Sequence, residues 1–200
     1  MQEIITFAME IIGTIAFAVS GAYVAIEKKM DMLGVIFLGI TTAIGGGIIR
    51  DILIGATPPE SLTNPLYFFI AAAVSIIVFI PQIREHIDID SKLIVFIDAI
   101  GLGAFTVIGC SKALQFDNFW LSLFLGTLTG VGGGVLRDIF AAQKPVIFVK
   151  HFYALASLAG ALIYLLVLPC GNILAMSSAI IAVIVLRMLA AKYKWHLPKA

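Results

Sequence analysis

Charge is scarce in this chain. Only 12% of its 200 residues are Asp, Glu, Lys or Arg and 61% are hydrophobic, against about 25% and about 45–50% in soluble domains. That balance excludes an ordinary soluble domain and implies an integral membrane protein. The two cysteines, Cys110 and Cys170, lie in or beside apolar segments, which argues against a disulfide framework or a thiolate metal site. The three histidines, His86, His151 and His196, fall in loops or the tail without ligand spacing, so no metal is expected. No basic patch suggests nucleic acid, and no nucleophile–base pair or metal cluster suggests an enzyme. A cleaved signal peptide is not expected either. Met1-Gln2-Glu3 lacks a basic n-region, and the apolar segment that follows runs over twenty residues.

What the chain does have is long apolar runs. Seven segments approach the ~20 residues a helix needs to cross the hydrocarbon core, at 4–26, 32–54, 66–83, 93–115, 119–142, 152–170 and 173–191. The breaks between them carry charged residues, Pro, Gly or Asn and are too short to hold a soluble domain. Alternate breaks also sort the basic residues. Lys28, Lys29, Arg84, Lys92, Lys144, Lys150, Arg187, Lys192, Lys194 and Lys199 fall on one side, and Lys112 falls on the other. Basic loops stay in the cytoplasm, so the N-terminus is predicted outside and the C-terminus inside. Lys112 is expected to snorkel to the outer surface. Tyr67, Trp120, Tyr153, Tyr193 and Trp195 suit interfacial aromatic belts.

One sequence occurs twice. Residues 37–53 read FLGITTAIGGGIIRDIL and residues 124–140 read FLGTLTGVGGGVLRDIF, with ten of seventeen positions identical at an offset of 87. The likeness extends upstream, where Glu10, Gly13, Phe17 and Gly21 align with Asp98, Gly101, Phe105 and Gly109, one residue out of register. Each copy spans three segments. An odd number of crossings makes the second copy enter from the opposite side, so the expected fold is all-α, with seven transmembrane helices as two inverted-topology three-helix repeats plus a C-terminal helix. The chain is then a single transmembrane domain over 1–200, with repeat one at 1–86, repeat two at 87–172 and a seventh helix at 173–191.

Two features of the repeat are costly in a membrane helix. Three consecutive glycines each weaken a helix by roughly 1 kcal/mol relative to alanine, and an Arg or Asp near mid-membrane costs roughly 2.5–3.5 kcal/mol. Gly45, Gly46 and Gly47, with Gly132, Gly133 and Gly134, either let another backbone approach or break the helix, and their pairing in inverted repeats favours discontinuous helices at a midplane site. They are not phosphate-binding loops, because the Gly-Lys-Ser/Thr ending and a preceding strand are missing. Arg50 and Asp51 follow the first triplet outward, and Arg137 and Asp138 follow the second inward. At 1.5 Å per residue the two pairs lie too far apart to meet, and depth assigns Glu10 to Arg50 and Asp98 to Arg137. Each half then holds two carboxylates and one guanidinium, a charge of −1 that favours cations. The plainer alternative is an ion-pair network that only braces the helices.

Two copies of GGG-x-x-RD, each preceded by a helix carrying an acidic residue and a glycine, in seven spans of about two hundred residues, resemble the prokaryotic trimeric intracellular cation channels. Bacterial members of that family also go by the name of glycine transporters. The resemblance covers essentially the whole chain. It implies a homotrimer in the plasma (inner) membrane, with a pore in each protomer lined by the two glycine-kinked helices, passing potassium or other monovalent cations. It assigns the kinks to Gly45–Gly47 and Gly132–Gly134, and the adjoining polar elements to Arg50, Asp51, Arg137 and Asp138. No cofactor is implied beyond permeant potassium or sodium and bound lipid. Animal members carry Lys-Glu-Val where this chain has Arg137-Asp138-Ile139, so their gating does not transfer.

The expected function is therefore a passive potassium channel. The alternative is a secondary transporter of a small zwitterion such as glycine, since broken helices in inverted repeats suit both. A membrane scaffold without a permeation path is a third, weaker reading.

Overall fold

A computed structural model describes residues 2–82, 91–149 and 152–195. Its long helices are α1 (Gln2–Glu27), α2 (Met32–Leu53), α3 (Pro65–Phe79), α4 (Ser91–Ala113), α5 (Phe119–Phe140), α6 (Tyr153–Val167) and α7 (Asn172–Tyr193). Short helices at Glu60–Thr63 and Val146–Val149 follow α2 and α5. Six of the long helices are long and apolar enough to span a membrane, α4 and α6 with the 3-10 turns that extend them. The exception is α3, whose 15 residues reach roughly 22 Å. Its expected end at residue 83 is cut back by Pro81, which leaves Ile80 extended at ψ 118°. Arg84, His86, Lys150, His151, His196 and Lys199 lie outside the described residues.

Local chemistry sets the helix ends. The Asp31 carboxylate accepts from Gly34 N at 2.8 Å to start α2, and Asn118 Oδ1 accepts from Leu121 N at 3.0 Å to start α5. The far ends match as well. Gly55 N donates to Ile52 O and Ala56 N to Asp51 O after α2, while Ala142 N donates to Ile139 O and Gln143 N to Asp138 O after α5. The turning residue is left-handed in both, at φ 73° for Gly55 and 52° for Ala142.

Short connections make successive helices antiparallel. One face, here the N face, holds the start of α1, the ends of α2 and α4 and the start of α5. The opposite C face holds the end of α7. Helix α3 packs on α1 and α2, α6 packs on α4 and α5, and α7 covers α4 and α6. The two sets meet where α1 packs on α4 and α2 on α5. Large apolar side chains such as Phe68, Phe69, Ile77, Leu162, Leu166 and Ile181 point outward and are exposed, as lipid-facing residues are. At the centre, Phe17 stacks beside Phe105 with ring centroids 5.3 Å apart. Each ring lies on the other helix's bare glycine, Phe105 on Gly13 and Phe17 on Gly101.

Candidate functional site

Helices α2 and α5 cross at the glycine triplets, and both run as unbroken α-helix through them. The expected discontinuity is therefore absent. The i to i−4 bonds survive because the glycines serve the crossing instead. A Cβ on Gly46 would lie closer than 3.0 Å to Thr129 O, and one on Gly133 would lie equally close to Thr42 O. Gly132 faces Gly46 Cα, Gly45 receives the Leu136 side chain, and Gly134 receives the Tyr153 hydroxyl. Close approach of two backbones is what glycine allows at a membrane helix interface. Nearby, Thr42 and Thr129 turn their hydroxyls back to Leu38 O and Leu125 O at 2.6 Å, which satisfies them inside the helix.

The C-face side of the crossing holds a buried charged cluster. Arg137 Nη1 donates to Asp98 Oδ1 at 2.7 Å and to Ser20 Oγ at 2.6 Å, and Ser20 donates to the same Asp98 oxygen at 2.9 Å. The expected Asp98–Arg137 pair is formed. Arg137 Nε also donates to Asp138 Oδ1 at 2.9 Å. The other Asp138 oxygen accepts from Val146 N at 2.7 Å, so this carboxylate aims the arginine and pins the loop after α5. Gln143 Nε2 adds a third donor to Asp138 at 2.9 Å.

The N-face side repeats part of this pattern. Arg50 Nε and Nη2 reach Asp51 Oδ1 at 2.8 and 2.7 Å, and Asp51 Oδ2 accepts from Glu60 N at 3.1 Å. The expected Glu10–Arg50 pair is not formed. Glu10 instead accepts from the Tyr67 hydroxyl and lies 3.9 Å from Lys112 Nζ, which also pairs with Glu60. Lys112, expected to snorkel to the outer surface, stays partly exposed there and is held by these two carboxylates. Glu10, Arg50 and Lys112 still share one space, a cavity of about 30 Å³ that Tyr67 and Thr14 also line. That is room for about two water molecules.

Several members of these clusters were not assigned a site from sequence, Glu60 and Lys112 among them. Tyr67 and Tyr153, expected in aromatic belts, are buried. Ser20, given no role from sequence, is buried. Arg187, counted among the cytoplasmic basic residues, is buried 4.0 Å from Asp98 Oδ2 and stacks over the Tyr153 ring at 4.6 Å. Its signal was available. Arg187 sits inside an apolar run, as Arg50 and Arg137 do. With it, the C-face cluster holds two carboxylates and two guanidinium groups and is neutral, which corrects the expected −1. The N-face cluster holds Glu10, Asp51 and Glu60 against Arg50 and Lys112, and keeps −1.

A family model described as "Glycine transporter" matches residues 7–82 and 95–169. Among relatives, the UPF0126 membrane protein YvgT of Bacillus subtilis is 37% identical over 95% of this chain and 94% of its own length. The UPF0126 inner membrane protein YadS of Escherichia coli is 31% identical over 96% and 94%. Solved structures match as fully. A TRIC cation channel is 39% identical with a TM-score of 0.87, covering 96% of both chains. The trimeric intracellular cation channel orthologue of Rhodobacter sphaeroides is 31% identical, with a TM-score of 0.88 over 96% of this chain and 99% of that one. The chain belongs to the prokaryotic TRIC family. It is thus a TRIC-family protein of the multi-pass, all-helical membrane class, with its buried charges on α2, α4, α5 and α7.

Proposed function

We propose that this TRIC-family chain is a passive channel for monovalent cations, potassium foremost, with a pore inside each protomer of a homotrimer. The observation that carries the reading is the match of 96% or more of the chain to solved cation channels at 31–39% identity. In this reading the N-face cavity, lined from α1, α2, α3 and α4 and reaching Gly47 of the first triplet, is the entrance, and the path continues past the glycine crossing to the C-face cluster. The net negative charge at the N-face mouth favours cations there. Seven crossings in inverted repeats give this route its two-ended form, and the shared cap and loop contacts of α2 and α5 support that arrangement. The N face is external and the C face cytoplasmic.

Permeation needs the crossing to loosen, because the cavity is only about 30 Å³. The glycines suit that step, since two bare backbones can slide past each other without unlocking side chains. The test is to reconstitute the purified protein in a planar bilayer under asymmetric KCl and read the reversal potential. A value near the potassium equilibrium potential is expected. Anion-directed reversal, or saturable glycine uptake without current, would replace the channel with another function.

A further inference from the structure

We infer that Arg187 on α7 sets the cation preference of the C-face end of the pathway, by cancelling the excess negative charge that Asp98 and Asp138 would otherwise leave there. The inference rests on the proposed channel. Arg187 is buried, and its Nη2 lies 4.0 Å from Asp98 Oδ2. Arg137 occupies the other oxygen, Oδ1, at 2.7 Å. One carboxylate therefore stands between two guanidinium groups brought by α5 and α7.

Arg187 Nε has no hydrogen-bond partner among the described residues. A 4.0 Å separation is too long for a hydrogen bond but well inside the range of a Coulomb interaction. What Arg187 contributes is a positive charge, held in place by the face of Tyr153 at 4.6 Å. Tyr153 in turn sits with its hydroxyl against Gly134, so the charge is positioned beside the last glycine of the second triplet. Without Arg187 the C-face cluster would carry −1, like the N-face cluster. With it, the two ends of the pathway differ by one unit.

Bilayer recordings of the full-length protein under asymmetric KCl test this with four variants: Arg187→Gln, Arg187→Lys, Asp98→Asn and the Asp98→Asn/Arg187→Gln double. One unit charge acting over about 10 Å in water changes a local ion concentration by about two-fold. Arg187→Gln should therefore raise the potassium-to-chloride permeability ratio at least about two-fold, and Arg187→Lys should stay near wild type. If Arg187→Gln does not fold, the comparison of Asp98→Asn with the double mutant decides, because the double should be the more cation-selective of the two. An unchanged ratio in Arg187→Gln, or a shift in Arg187→Lys as large as in Arg187→Gln, overturns the role of the charge. A wild-type protein that passes no cation current overturns the channel reading first, which keeps the two failures apart.

Discussion

Adjacent glycines in one triplet have different obligations. Gly46 has Thr129 O and Gly133 N where a Cβ would go, and both are backbone atoms that cannot rotate away. Gly47 meets only the Arg50 side chain, at an ordinary 3.7 Å. Gly46→Ala and Gly133→Ala should therefore destabilise the protein by about 1–3 kcal/mol, the cost of overpacking. Gly47→Ala should be neutral or stabilising by up to about 1 kcal/mol, because alanine is the better helix former. Thermal unfolding in detergent separates them. Equal losses at Gly46 and Gly47 would mean that the triplet serves helix bending, with the crossing secondary.

The elements meet through unequal charge pairs, although the two halves of the chain are alike in sequence. On the C face Asp98 of α4 takes Arg137 of α5 directly. On the N face Glu10 of α1 takes Tyr67 of α3 and Lys112 of α4, and leaves Arg50 to Asp51. A double-mutant cycle on Asp98→Asn and Arg137→Gln should show strong coupling. Breaking a buried pair costs roughly 3–5 kcal/mol, and removing both partners should recover part of it. The same cycle on Glu10→Gln and Arg50→Gln should be close to additive. Coupling of equal size in both cycles would show that Glu10 and Arg50 meet after all.

For the whole molecule, the distribution of positive charge decides orientation. Lys28, Lys29, Lys92, Lys144, Lys192 and Lys194 lie at the C face and Lys112 at the N face. Short basic connections stay in the cytoplasm, so a reporter after Ala200 should be cytoplasmic and one before Met1 external. Accessibility labelling of intact cells reads this directly. Both reporters on one side would remove the seventh crossing, with α3 the first suspect because its 15 residues span only roughly 22 Å.

The sequence by itself determined the membrane class, the helix limits to within a few residues except at α3, and the paired glycine and Arg-Asp motifs. These are local quantities. Apolar length sets a span, Asp31 and Asn118 cap the helices they precede, and a repeat at an offset of 87 is visible without coordinates. The Asp98–Arg137 pair was legible too, because equal depth on neighbouring helices leaves few partners. Only the tertiary structure decided which glycines face backbone, since that depends on how α2 is rotated against α5. It also decided the partner of Glu10, because Tyr67 and Lys112 come from helices whose placement no spacing rule encodes. The apolar run around Arg187 signalled a buried charge, but only packing decided its partner. The rotation that turns it toward Asp98 is a property of the assembled bundle.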